Sequence, residues 1–194
     1  GVDIVPSYMD MSHGVFRYAT ADRMPLLVAR VQMISDFYGC PSGVHGAKTD
    51  SCFVNVQVGI DKAMSSVFPI LAGAVGIGTV GHLENAVTFS PVQLVIDNEV
   101  LRYLHRALRP IVVDDETLAV EEIRKAGIGG DLLGSDHTIR HFRDELFFSE
   151  LFETMPWGSA HAQPVRGMDA RAWHSARRLW QEEPQTVLSD DKIW

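Results

Sequence analysis

Apolar residues along the first 110 positions follow two alternating patterns. Short runs of small and apolar residues, typical of buried strands, are each followed by a longer segment with apolar residues at helical spacing. The strand candidates are residues 2–6, 41–45 and 72–80, and the helix candidates are residues 22–38, 54–67 and 90–108. The last helix is expected to begin with Ser90 as its cap, Pro91 in its first turn and Gln93 closing a capping box. Three such units of about 35 residues each predict a parallel sheet covered by helices, in the α/β class.

The pattern changes after Pro110, where no further strand is predicted. Acidic residues 114–116 open a helix candidate and basic residues 124–125 close it, an order that complements the helix dipole. A glycine-rich bend at 127–134 precedes another helix candidate, capped by Ser135. This part of the chain is expected to be helical.

Composition and charge exclude several classes of function. A formal charge of −8 and a pI near 5.4 disfavour nucleic acid and anionic membrane surfaces as partners. The longest apolar run, residues 70–80, is too short to span a bilayer and contains three glycines. Cys40 and Cys52 form neither a disulfide framework nor a zinc spacing, and no signal peptide is recognised at the start. We expect a cytoplasmic protein.

The stretch between the second strand candidate and its helix carries the most chemistry. An imidazole, a cation, an anion and an aromatic ring lie close together there, at His45, Lys48, Asp50 and Phe53. A structural loop needs only a turn residue and a helix cap, which Thr49 or Asp50 can supply. Because function collects on loops held by a rigid scaffold, we predict that this loop binds substrate.

Residues 76–81, Gly-Ile-Gly-Thr-Val-Gly, match the GxGxxG pattern of dinucleotide-binding loops. That role requires a helix to begin at the third glycine, whereas the next helix start comes nine residues later, and the acidic Asp97 lies inside that helix. A strand that lacks side chains at Gly76, Gly78 and Gly81 instead admits a flat cofactor, or a crowded barrel interior. A nucleotide-binding α/β protein is the weaker alternative.

Two motifs contain histidine beside other polar residues. His82 and Glu84 form an acid–imidazole pair after the third strand candidate, although the spacing supplies no third metal ligand. His137 and His141 have the i, i+4 spacing of zinc pairs, but Arg140 and Arg143 beside them make an electropositive face that disfavours a cation. We therefore expect surface hydrogen bonds at this second pair, or an anion-facing or partner-facing role, and no metal site.

Aromatic residues follow two successive strand candidates, at Tyr8, Phe16, Tyr18 and Phe53. Aromatic faces at one mouth of a fold suit a cationic, poorly solvated ligand. Each ring can equally serve to plug the mouth of the barrel.

Several long blocks, in the same order, resemble the trimethylamine methyltransferase family. They are residues 42–52 (SGVHGAKTDSC), 81–97 (GHLENAVTFSPVQLVID), 113–118 (VDDETL), 129–134 (GGDLLG) and 137–143 (HTIRHFR). The wording of residues 44–46 and 48–50 is most similar to the glycine betaine branch, whose members lack pyrrolysine.

The resemblance implies the C-terminal part of a (β/α)8 TIM barrel followed by helical segments. Residues 1–110 would then be its last βα units, residues 111–152 a helical extension packing on the barrel, and residues 153–194 a tail with one helix. The implied enzyme is a methyltransferase that moves a methyl group from a quaternary amine such as glycine betaine to a Co(I) corrinoid. That corrinoid (cobalamin) is carried by a partner corrinoid protein docked at the barrel mouth. The chain itself is expected to hold no cofactor tightly and to form a homo-oligomer.

The resemblance also implies roles for single residues. Substrate would contact Tyr8, His45, Lys48, Asp50 and Phe53, with the rings facing the ammonium and the donors facing a carboxylate. Glu84 and His82 would be the catalytic residues, with Glu84 facing the ammonium or orienting His82. Gly76, Gly78 and Gly81 would approach the cofactor.

Two departures from the family pattern keep an alternative open. No pyrrolysine is written here, so trimethylamine is the less expected substrate. Family chains are far longer, and this sequence is expected to start about midway along them, with three βα units where a barrel needs eight. A truncated, non-catalytic fragment that acts as a binding or assembly piece is therefore the alternative.

Overall fold

A computed structural model describes residues 5–163 and 167–182. Its strands are β1 (Tyr8–Asp10), β2 (Val15–Arg17), β3 (Gly43–Val44), β4 (Gly76–Ile77), β5 (His82–Leu83) and β6 (Thr88–Phe89). Its helices are α1 (Arg23–Gln32), α2 (Val56–Leu71), α3 (Pro91–Ala107), α4 (Asp115–Leu118), α5 (Val120–Ala126), α6 (Asp136–Glu145), α7 (Trp157–His161) and α8 (Met168–Gln181). A π-helical turn, Met33–Phe37, extends α1, and a left-handed turn, Glu84–Ala86, joins β5 to β6.

The strands form three separate pairs. β3 and β4 are parallel and are connected by α2, which makes a βαβ unit. β1 pairs with β2, and β5 with β6, as antiparallel hairpins. The parallel β3–β4 pair agrees with the predicted strand-then-helix pattern, while the complete barrel stays a prediction.

The strands differ in place and length from those predicted. Val5 and Pro6 lie outside any strand, residues 1–4 lie outside the described part, and β1–β2 occupies a predicted loop. The third predicted strand, residues 72–80, is reduced to β4. Gly73 and Thr79 flank β4 with φ angles of 97° and 74°, and such left-handed residues end extended backbone on both sides.

Helix starts follow local capping chemistry. The Ser90 hydroxyl accepts a hydrogen bond from the Gln93 backbone N–H at 3.2 Å, and Pro91 occupies the first turn of α3, as predicted. The expected reciprocal bond from the Gln93 side chain is absent, because that amide donates to Asp97 instead. α2 continues through Pro69 to Leu71, beyond its predicted end at residue 67.

The buried core has two parts. One lies where α1 packs on α2 and contains Leu27, Val31 and Val58. The other joins α3 to α8 through Ile96, Leu151 and Ala172, so the C-terminal helix packs directly on the sheet-bearing part of the chain.

The C-terminal tail contains two helices in its described residues, α7 and α8, where one was predicted. Residues 164–166 and 183–194 lie outside the described part of the chain. Within the described residues, no helix combines the length and hydrophobicity needed to cross a bilayer.

Candidate functional site

The central loop, residues 45–55, leaves β3 at its carboxyl end. Backbone hydrogen bonds from Val75 to Ser42 and from Gly78 to Val44, both 2.9 Å, fix the strand pair that precedes it. Gly46 lies against α2 so closely that an added Cβ would stand 2.7 Å from the Ser65 carbonyl oxygen. The glycine therefore sets the direction in which the loop begins.

The helix after the loop is capped by Asn55. The sequence had suggested Thr49 or Asp50 as the cap. The side-chain oxygen Oδ1 of Asn55 accepts a hydrogen bond from the Val58 N–H at 3.1 Å, and α2 begins at Val56. This leaves the two earlier side chains for other contacts. The Thr49 hydroxyl donates to Asp61 at 2.8 Å, inside the same loop–helix unit.

Lys48 and Asp50 both meet the end of the β1–β2 hairpin. The Lys48 ammonium lies 4.0 Å from the centre of the Tyr18 ring, a cation–π contact. The Asp50 carboxylate accepts hydrogen bonds from the Tyr18 backbone N–H at 2.9 Å and from the Arg17 guanidinium at 3.2 Å. Only 8% of Lys48 is exposed, and burial, followed by the nearby Arg23, lowers its pKa.

Arg23 is fully buried and ties three segments together. Its guanidinium donates to the carbonyl oxygens of Pro6 at 2.7 Å, Tyr18 at 2.5 Å and His45 at 3.3 Å. Burial lowers the pKa of Arg23 to about 10, against an opposing effect of Asp50. The side chain remains a cation at neutral pH, so the loop and the hairpin meet around a buried positive charge.

The turn between β5 and β6 closes the other side of the central loop. Glu84, Asn85 and Ala86 have φ angles of 49°, 57° and 76°, a conformation that residues with a Cβ rarely adopt. The Glu84 N–H donates to the backbone carbonyl oxygen of Ser51 at 2.9 Å. The Asn85 N–H donates to that of Thr49 at 3.0 Å. Strained backbone of this kind is found at binding sites and active sites, where the surrounding structure enforces it.

His82 and Glu84, the predicted catalytic pair, have separate partners. The Glu84 carboxylate accepts a hydrogen bond from the Thr88 hydroxyl at 3.0 Å. The His82 ring is placed by the Val80 carbonyl oxygen, 2.9 Å from Nδ1, and by an edge-to-face contact with Phe89. Both residues are half-buried beside the turn, and no hydrogen bond joins them.

His45, Gly76 and Gly78 line one cleft of about 910 Å³. Its walls are mostly apolar and come from the end of α1, the π-helical turn and the paired strands. An added Cβ on Gly76 would meet no atom within 4 Å, so the strand edge is open towards the cleft. Thr79 lies at the rim, with its hydroxyl oxygen 3.5 Å from Nδ1 of His45.

Gly81, the third glycine of the motif, lies elsewhere and is buried. Its N–H donates to the Asp97 carboxylate at 2.6 Å, and an added Cβ would stand 2.7 Å from the Phe89 ring. The same carboxylate accepts hydrogen bonds from the Lys62 ammonium at 2.5 Å and the Gln93 amide at 2.7 Å. Asp97 is therefore occupied by a buried polar cluster, a role that sequence reasoning missed.

The two aromatic residues expected to hold an ammonium lie at the surface. Phe53 is 76% exposed, near the end of the central loop. The Tyr8 hydroxyl donates to the Asp22 carbonyl oxygen at 3.2 Å, with its ring partly exposed. The structure thus brings together Lys48, Asp50 and Tyr18, and separately His45 with two of the glycines.

Comparison with known proteins adds the family. The model of the family "Trimethylamine methyltransferase (MTTB)" matches residues 4–193. The chain belongs to this family. The resemblance noted in the sequence is therefore confirmed, and the family is one of methyltransferases.

Relatives within the family have related names. Trimethylamine methyltransferase MttB of Methanosarcina barkeri is 43% identical over 113 residues, which are 58% of this chain and 23% of the relative. MttB of Desulfitobacterium hafniense (strain DSM 10664 / DCB-2) is 35% identical over 62% of this chain and 24% of the relative. Glycine betaine methyltransferase of D. hafniense (strain Y51) is 27% identical over 63% of this chain and 26% of the relative.

The matched region spans about a quarter of the length of these relatives. Of the three, the two trimethylamine methyltransferases are more similar to the chain than the glycine betaine methyltransferase is.

Proposed function

We propose that this chain is the substrate-binding C-terminal part of a corrinoid-dependent methyltransferase that demethylates a betaine. The observation that carries the proposal is the buried Lys48 ammonium beside the buried Arg23 cation, at the carboxyl end of a parallel strand. The carboxylate of Asp50 is the negative charge that acts on both Lys48 and Arg23, so two cations share one anion there. A ligand carboxylate would neutralise the remaining positive charge, and betaines carry one.

The ammonium end of a betaine requires an aromatic face and a nearby negative charge. The ring of Phe53 is open to solvent on the same loop, and Tyr8 lies on the adjoining hairpin. Glu84, the first residue of the left-handed turn, supplies a carboxylate. We assign these residues to the ammonium, and His45, Lys48 and Asp50 to positioning the rest of the substrate.

The glycine-lined cleft fits the approach of a large flat group. Gly76 and Gly78 leave the strand edge without side chains, and the cleft holds about 910 Å³. When bound through a partner corrinoid protein, the corrinoid would supply a nucleophilic Co(I) that takes the methyl group as the C–N bond breaks. A quaternary nitrogen leaves as a neutral amine, so the residues here need not protonate it.

Trimethylamine is a second candidate substrate, because the relatives that carry its name share more identity with the chain. It has no carboxylate, so its binding would not depend on Lys48. The alternative of a non-catalytic fragment predicts that neither amine binds.

Calorimetric titration of the 194-residue chain tests the proposal. Glycine betaine should bind, and Lys48→Gln should weaken binding roughly tenfold to a hundredfold through loss of a charge-assisted contact. Lys125→Gln serves as the matched control. Lys125 is exposed, pairs with Glu122 on α5 and lies outside the central loop. Tight binding of trimethylammonium that is insensitive to Lys48→Gln would replace the betaine by trimethylamine.

Methyl transfer is tested separately with free cob(I)alamin as the acceptor. Consumption of cob(I)alamin with release of dimethylglycine would support the activity. Absence of glycine betaine binding by the folded chain would contradict the assignment of the substrate site to these residues.

A further inference from the structure

The helical segment, residues 105–150, has no hydrophobic core of its own. All of its residues are described and none of them is buried. Capping bonds at Asp114 and Ser135 and surface ion pairs such as Glu145 with Arg106 and Arg109 hold its helices. Exposed contacts of this kind contribute little stability each, so the segment lacks a strong internal constraint.

One cluster in this segment connects two of its helices. Glu116 lies on α4, whereas His137 and His141 lie one turn apart on α6. Nε2 of His141 is 2.9 Å from the Glu116 carboxylate, and Nε2 of His137 is 2.8 Å from the Glu116 carbonyl oxygen. The expected surface hydrogen bonds are therefore present, but they bring three side chains together.

The three side chains have the chemistry of a zinc site. Their ligand atoms all lie within 4.8 Å of one another, and two histidines with one glutamate form a known three-ligand zinc set. Tetrahedral ligands at about 2.0–2.1 Å from zinc stand roughly 3.3 Å apart, so small rotations suffice.

The cationic neighbours oppose a metal less than the sequence suggested. Arg143 lies over the Phe142 ring, 5.4 Å from its centre, and not on the cluster. Arg140 does contact Glu116, at 3.2 Å, and competes for the same oxygen.

The cluster also borders a space for a fourth ligand. A cavity of about 470 Å³ is lined by His137, His141 and Thr117 on one side and by Arg106 and Arg109 on another. A water molecule or a small anion in this cavity would complete a four-coordinate ion.

We propose that Glu116, His137 and His141 bind one divalent transition-metal ion of the zinc class, and that the ion links α4 to α6. Such a link would add a constraint between two helices that otherwise meet through surface hydrogen bonds.

Zinc titration of the chelator-treated 194-residue chain, followed by calorimetry, tests the proposal. One equivalent should bind and raise the melting temperature, and Co²⁺ should give the visible absorption of a tetrahedral site. His137→Gln, His141→Gln and Glu116→Gln should each weaken binding by at least about tenfold. Arg140→Gln should tighten it, because the competing guanidinium is removed.

His105→Gln and Asp115→Asn are the matched controls, since both residues are exposed and lie outside the cluster. Each variant is checked for unchanged circular dichroism without metal. Absence of stoichiometric binding by the wild type would overturn the proposal. Binding that the three ligand substitutions leave unchanged would also overturn it, by placing the ion elsewhere.

Discussion

The sheet-bearing region, residues 5–104, and the helical segment, residues 105–150, contain similar apolar patterns with opposite outcomes. In the first, Leu27 and Val31 are completely buried. In the second, Ile123 on α5 and Ile139 on α6 are 56% and 59% exposed. The difference teaches that an apolar stripe on a helix predicts the helix, while burial depends on whether another element covers that stripe.

The largest expected effect separates the buried polar cluster from surface pairs. Asp97→Ala leaves the Lys62 ammonium buried without its partner, which should lower the free energy of unfolding by about 3–5 kcal/mol. Glu121→Ala removes an exposed partner of Arg124 in the helical segment and should have little effect. Urea unfolding of both variants measures the contrast, and similar losses would contradict it.

A smaller effect is expected at two glycines that flank the start of α2. Gly46→Ala would press a Cβ against the Ser65 carbonyl and should cost about 1–3 kcal/mol. Gly59→Ala, inside α2 with open space around it, should instead stabilise the chain by up to about 1 kcal/mol. Thermal unfolding gives both values. Stabilisation by Gly46→Ala would mean that the loop does not lie on α2 as described.

The smallest effect concerns acid. Hydrogen bonds from His141 lower the pKa of Glu116, and those from Arg106 and then Arg109 lower the pKa of Glu145, below the ordinary value of 4.5. A lowered pKa contributes stability that is present above pH 4.5 and is lost as the pH falls below it.

Hydrogen exchange measured between pH 7 and pH 3 should therefore show α4 and α6 opening before α2, once intrinsic rates are corrected. Equal protection of all three helices at pH 3 would show that these ion pairs do not hold the segment.

Helix starts could be predicted from the sequence because capping is local. Ser90 and Ser135 cap the expected helices with the hydrogen bonds expected of them. Strand pairing could not be predicted in the same way. β1–β2 and β5–β6 are hairpins of two or three residues per strand, in stretches without a long apolar alternation.

The candidate site was found in part. The sequence indicated that Lys48 and Asp50 lie close together on one loop. That both residues contact Tyr18 could be seen only in the fold. Arg23 was missed, although a signal existed. A cation in the first turn of a helix opposes the helix dipole, and at such a position another interaction must compensate. Asp97 showed no such signal, because nothing local distinguishes a buried carboxylate from an exposed one.

The hydrogen bonds that the central loop accepts from Glu84 and Asn85 also affect the order in which the chain folds. Thr49 receives its hydrogen bond from Asn85, 36 residues later in the chain. At about 5–20 residues per second, the ribosome needs roughly 2–7 s to continue from Thr49 to Asn85, and the hydrogen bond cannot form earlier. During that interval the backbone carbonyl groups of Thr49 and Ser51 lack these partners, so the central loop is completed only after α2 has been synthesised.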